Sequence, residues 1–234
     1  MPLGLGSNLS KTGLTTPGIV TDNLVLKHNY SAGSVIPVSD GAAYFDGSND
    51  YISTAHTTPT GNYTISAWIN NIGTGSYYAI YSGGLEIWLG IHGSNGHVLL
   101  HGGDGSKYVK TADNLISTNR WYHITVTWDG SNAKIYIDGV LCSTTANGVF
   151  ENAASTSVDI GNRSDNNSND FNGYICNVAA WTTALTQPQI KSIMNKNYAG
   201  LTTGTGGETE NLVSWWNLSA DANDSHGSNN GTLS

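Results

Sequence analysis

The four glutamates, Glu86, Glu151, Glu208 and Glu210, are the first residues to test for chemistry. Retaining cleavage of a glycosidic bond needs two carboxyl groups about 5–5.5 Å apart, which alternate residues on one strand face can supply. Glu86 runs into Ile87 and Trp88, with no acid two or four positions on. Glu208 and Glu210 lie in a Thr/Gly-rich stretch that reads as a linker, and Glu151 stands alone. Nucleophilic catalysis fares no better, because no Gly-x-Ser-x-Gly elbow is present. His92, His97 and His101 fall close together, but their spacing matches no zinc motif, so they read as polar surface residues. Cys142 and Cys176 allow one bridge at most, and buried thiols need no other explanation. The chain is therefore not expected to be an enzyme.

Binding chemistry has more to work with. Tyr77, Tyr78 and Trp88, with His92 beside them, offer flat rings and polar edges of the kind that stack on sugars. Trp88 alternates with Leu85, Ile87 and Leu89, which places it opposite an apolar face and predicts exposure. Trp68, Trp121, Trp128 and Trp181 lie on strongly patterned strands and read as core. Hard oxygen ligands for calcium stand at Asp46 and Asp50, and again at Asp165, Asn166, Asn169 and Asp170. Asp-Gly turns and Asn-rich loops also exist without a metal, so no cofactor is required.

The elements that would position these residues are mostly strands. In Trp121–Trp128 the residues Tyr122, Ile124, Val126 and Trp128 point one way and Trp121, His123, Thr125 and Thr127 the other, the mark of a half-buried strand. Asp138-Gly139 follows Lys134–Ile137 and predicts a type I′ hairpin, since both turn residues need positive φ. Tyr63–Ile69 alternates in the same way, and short apolar runs recur with turn signals between them. One helix is predicted, with Thr186 and Gln189 as a capping box, Pro188 in the first turn, and Ile190, Ile193 and Met194 as its apolar stripe. The fold class is all-β: an antiparallel two-sheet jelly-roll sandwich with one short C-terminal helix lying across it as a lid. Residues 1–20 read as an extended arm, 21–200 as the jelly roll with Asp22–Tyr30 a short strand, 201–207 as a linker, and 208–234 as an extra strand with a polar tail.

Composition excludes several partners. Only 11% of residues are charged and the net charge is −8, so no basic cluster is available for nucleic acid or an anionic membrane. The opening MPLGLGSNLSKTG lacks a basic region followed by a long apolar run, so no signal peptide is expected.

The spacing of several pieces resembles a known family. Phe45-Asp46-Gly47 with Asp50-Tyr51-Ile52, Thr64–Trp68, Trp121-Tyr122-His123, Trp128-Asp129-Gly130, Tyr136–Gly139, Ile160-Gly161, Gly173-Tyr174-Ile175 and the capped helix follow in order over about residues 42–195. Together they resemble the laminin-G-like jelly-roll domains of the concanavalin A-like lectin/glucanase superfamily. Relatives often carry two acids after the Gly-x-Ile of the late strand, the first contributing to a structural calcium site. Cys176 and Asn177 stand there instead. The arm and the Gly/Thr/Asn composition also resemble structural proteins of tailed, especially marine, phages. That resemblance implies a non-enzymatic virion protein, a capsid decoration or spike made in the host cytoplasm. Its expected partners are other virion proteins, copies of itself and host glycans. The alternatives are a free carbohydrate-binding lectin and a glucanase-like hydrolase. The surplus strand Asn211–Leu218 is expected to be paired in its own chain or with a neighbour, with Leu212, Val213, Trp215 and Trp216 as assembly contacts.

Overall fold

A computed structural model describes residues 37–84, 86–103, 106–148, 150, 155, 157–165 and 168–234. The N-terminal arm, Asp22–Tyr30, Leu85, Glu151 and Asn166 lie outside the described residues. Two antiparallel sheets stack face to face. The first holds β1 (Ala43–Asp46), β3 (Tyr63–Asn71), β8 (Trp121–Trp128), β9 (Ala133–Ile137), β10 (Val140–Leu141), β13 (Asn172–Trp181) and β14 (Leu212–Trp216). Its order is β1-β13-β3-β8-β9-β10, with β14 also on β13. The second holds β2 (Ile52–Thr54), β4 (Tyr77–Ser82), β5 (Ile87–His92), β6 (His97–Gly102), β7 (Lys107–Thr111), β11 (Thr144–Asn147), β12 (Val158–Ile160) and β15 (Gly231–Leu233). Its order is β11-β7-β6-β5-β4-β12-β2-β15. The jelly-roll sandwich read from the sequence is the fold observed.

The core lies between the sheets and is built by alternation. Tyr63, Ile65, Ala67 and Ile69 of β3 and Tyr122, Ile124, Val126 and Trp128 of β8 meet Ile87, Leu89 and Ile91 of β5 and Val98 and Leu100 of β6. The turn Asp138-Gly139 has φ of 50° and 72°, the two positive values of the predicted type I′ hairpin. Its register, Val140 opposite Ile137, follows from that two-residue loop.

The half-buried reading of β8 is corrected. His123, Thr125 and Thr127 are buried as well, because this outer face has its own cover. The cover is α1 (Gln187–Ile193), whose Ile190 and Ile193 pack on Ala179, Trp181, Tyr136 and Trp215. The predicted capping box forms: the Thr186 N–H donates to Gln189 Oε1 at 2.8 Å. Met194, just past the helix, continues the cover over Trp68 and Cys176.

The chain end is woven in rather than trailing. β14 pairs with β13 of the same chain, and β15 closes the edge of the eight-stranded sheet on β2. Leu212, Trp215 and Trp216 are buried in their own fold and Val213 is half-buried, so of the two pairings expected for this strand the one within its own chain is observed. An apolar strand is worth most where it finds both a ladder and a core, and here one chain supplies both. Asp224 fixes the return, accepting the backbone N–H groups of Trp215, His226 and Asn229 at 3.0–3.1 Å.

Candidate functional site

Among the described residues, no helix lies over the outer face of the eight-stranded sheet. Four adjacent strands, β4 to β7, line up a run of rings there. From β7 inward they are Tyr108, His101, Trp88 and Tyr77, with His92 and His97 beside Tyr77. Register makes the run: His101 sits opposite Tyr108 and Trp88, and His92 opposite Tyr77 and His97. His101 stacks on Trp88 with centroids 4.7 Å apart and planes 25° apart. Tyr77 meets Trp88 edge-on at 5.8 Å and His92 at 4.6 Å, and Tyr108 lies 5.4 Å from His101. Such contacts are each worth on the order of 1 kcal/mol beyond area burial. The Arg163 guanidinium lies over the Trp88 ring at 5.6 Å.

Two expectations change here. Trp88 is on the outer face, as read, but is only 5% exposed. His101, Tyr77 and Arg163 close around it, and Gly90 gives the indole room, since a Cβ there would lie 3.0 Å from the ring. Its indole N–H is buried with no hydrogen-bond partner. Tyr78 is not part of the platform. Adjacent strand residues face opposite ways, so it turns towards the core, packs edge-on against Phe171 at 6.3 Å and accepts the Gly75 N–H at 2.7 Å. Tyr77, at 40% exposure, is the ring that solvent reaches most freely.

The polar groups among the rings are largely engaged. His92 Nδ1 accepts the Asn95 N–H at 3.2 Å, and His97 Nδ1 lies 2.8 Å from Asp113 Oδ1. Burial lowers the His92 pKa, the neighbouring His97 and Lys110 lower it further, and Asp113 partly opposes them. The three histidines thus join one aromatic face, which their sequence proximity alone did not reveal.

The acids are not arranged for hydrolysis among the described residues. Glu86 and Asp165 both approach Gly84, but Asp165 is held by Arg163, with Nε and Nη2 each 2.8 Å from a carboxylate oxygen. Glu208 is a clasp, accepting from Lys196 Nζ and Thr202 N at 2.6 and 2.8 Å and from Ser192 Oγ. Burial alone would raise its pKa. The hydrogen bonds from Lys196, Ser192 and Thr202 overcome that and hold it at about 2.

Asp46 and Asp50 cap their own turn: Asp46 Oδ1 accepts the Ser48 N–H at 2.8 Å and Asp50 Oδ2 the Asp46 N–H at 3.0 Å. Asp170 is near enough that their charges add to burial in raising its pKa. Among the described residues no three His, Cys, Asp or Glu side chains are grouped to hold a metal. The late strand does not fit calcium either. Cys176 is fully buried, and burial pushes its thiol up to about 12, so it offers a neutral soft atom. Asn177 sits in a bulge at φ 48° and donates to the Val38 carbonyl at 3.1 Å. Both cysteines are free thiols.

Residues 46–191 match a laminin-G-like model described as the concanavalin A-like lectin/glucanases superfamily. The chain belongs to that superfamily. A search of curated proteins found no match. Among solved structures, a putative carbohydrate binding protein from Bacteroides ovatus aligns with TM-score 0.64 and 22% identity. The alignment covers 82% of this chain and 57% of that one, so the superfamily member described here spans little more than half its length. A Ruminococcus gnavus sialidase module, CBM40, bound to sialyllactose aligns at TM-score 0.51 with 12% identity, over 68% of this chain and all of that one. Domain 4 of a Geobacillus stearothermophilus arabinanase, in complex with arabinotriose, aligns at 0.50 with 21% identity, over 70% and 82%. At these identities the likeness is one of fold, and that fold is lectin-like.

Proposed function

We propose that the chain is a non-catalytic glycan-binding module whose contact surface is the uncovered outer face of the eight-stranded sheet. One observation carries this reading: a continuous row of rings from four adjacent strands, with His92, His101 and Arg163 interleaved. Aromatic faces take the C–H faces of sugar rings, and the interleaved polar groups fix orientation through hydroxyls. The sialyllactose and arabinotriose held by two of the similar structures are consistent with this use of the fold but do not choose a sugar. Calcium has no part in the proposal.

Glycan-array binding of the full chain, followed by calorimetry on any hit, tests it. Tyr77→Ala should abolish measurable binding with the fold intact. Arrays blank at high protein concentration would end the proposal. Turnover of a β-glucan that stops in Glu86→Gln would replace it with a hydrolase.

We place the module on a virion surface, as a capsid decoration or spike that touches host glycans. Support for this comes from the Gly/Thr/Asn-rich composition and the likeness to phage structural proteins noted above. The surplus strand no longer argues for a neighbouring subunit, because β14 is paired in its own chain. Mass spectrometry of purified particles is the direct test, and absence of the chain from them would remove this placement while leaving the glycan reading standing.

A further inference from the structure

The seven-stranded sheet is only partly roofed. Its outer face runs in rows across the strands. One row carries Cys176, Trp68 and His123, and Met194 closes over it. The next row, towards the Gly173 end of β13, has no helix above it among the described residues, and only its Trp121 end packs against the Trp68, Cys176 and Met194 group. There Tyr44 pairs with Tyr174, Tyr174 with Asn70 and Asn70 with Trp121. Tyr44 is 53% exposed and Tyr174 39%. Their rings lie 5.1 Å apart, and Tyr174 lies 6.4 Å from Trp121. Between the last two, Asn70 Oδ1 is shielded from solvent with no hydrogen-bond partner.

From this geometry we infer a second sugar-stacking platform, Tyr44–Tyr174–Asn70–Trp121, on the opposite side of the sandwich from the first. Three strand spacings make the row about 14 Å long, the span of a short oligosaccharide rather than of one ring. The chemistry is that of a neutral glycan. The rings offer apolar faces, the exposed Tyr44 and Tyr174 offer phenol hydroxyls to a sugar's own, and the row itself holds no charged side chain. A second copy of the chain fits less well. Three partly exposed rings leave a few hundred Å² at most, well short of the roughly 800 Å² per partner of a stable protein interface. The inference does not depend on the first platform. If both are used, one chain can hold two glycan strands, and arrays of chains gain avidity from the pair.

The test is a titration of the full chain with cellohexaose, mannohexaose and chitohexaose, followed by amide and indole N–H spectra, with Trp121→Phe assigning the indole. At least one probe should shift signals of Asn70, Trp121 and Tyr174. Tyr44→Ala and Tyr174→Ala should each weaken that binding by about five- to ten-fold, the loss of one stacked ring. Both side chains are on the surface, so the folded spectrum should survive. Tyr77→Ala should leave the response untouched, which separates this platform from the first. If no probe at millimolar concentration shifts the row, the inference fails. It fails equally if sedimentation shows a dimer that Tyr44→Ala dissolves, since the row would then be a contact between copies.

Discussion

The two sheets share one core but treat their outer faces oppositely. Over most of the seven-stranded sheet, helix α1 and the segment held by the Glu208 clasp make a second apolar layer on Trp181 and Trp215. On the eight-stranded sheet no described element comes back across, and Trp88 is shielded by Ala79 and Leu99 and by the rings and guanidinium beside it. A covered face therefore carries stability, since burying a large ring contributes a few kcal/mol. An open face must remain soluble, so its aromatic residues are Tyr and His as well as Trp, which keep a polar edge at the surface. The histidines show the same divide. His123, under the cover beside Trp68, is lowered by burial to about 3, whereas the open-face His92 is only partly buried.

The largest expected effect is on the covered side. Trp181 is fully buried and its indole N–H donates to the Glu208 carbonyl at 2.9 Å. Trp181→Ala should cost about 3–5 kcal/mol in urea unfolding, enough to unfold much of the population. A loss below about 1 kcal/mol would mean that the cover is not structural.

Acid should act next. His56, buried between Tyr81 and Trp216, is lowered by burial to about 4 against a slight opposing pull from Asp224. With folded pKa values below the unfolded 6.5, both His56 and His123 favour the native state fully above pH 6.5. As pH falls from there towards 4, the unfolded chain takes protons that the folded chain refuses. Stability should drop by on the order of 3 kcal/mol per histidine across that window. Denaturation midpoints measured from pH 8 to 4 check this, and a flat profile would contradict it.

Glu208→Gln should loosen the clasp by about 1 kcal/mol at neutral pH, a partly shielded charged pair being worth little more. Because its folded pKa is depressed, the contribution of Glu208 is present above the ordinary carboxylate range and disappears as pH falls towards 2. The wild type and variant should therefore converge in acid. Tyr77→Ala, on the open side, should cost about 1–2 kcal/mol through its lost ring contacts, well short of Trp181→Ala, while removing glycan binding. That split between stability and binding is the sharpest measure of the difference between the faces.

Much was legible in the sequence because its signals were local. Alternation in β3 and β8, the Asp138-Gly139 hairpin and the Thr186/Gln189 cap depend on residues within a few positions of one another, where backbone sterics and hydrogen bonding decide the outcome. The period-two pattern also placed Trp88 on the outer face. Tyr78 was misplaced although its position was readable: two neighbouring tyrosines on one strand cannot share a face. What only the tertiary structure decided was who covers whom. The pattern of β8 says that its second face is the less apolar one, and cannot say that a helix some sixty residues later will bury it. Nor can it say that Trp215 and Trp216 find their partner in their own chain, or that Tyr44, Tyr174 and Trp121 fall in one row. Those facts rest on register and packing between strands far apart in sequence, and such contacts are chosen by the whole core at once.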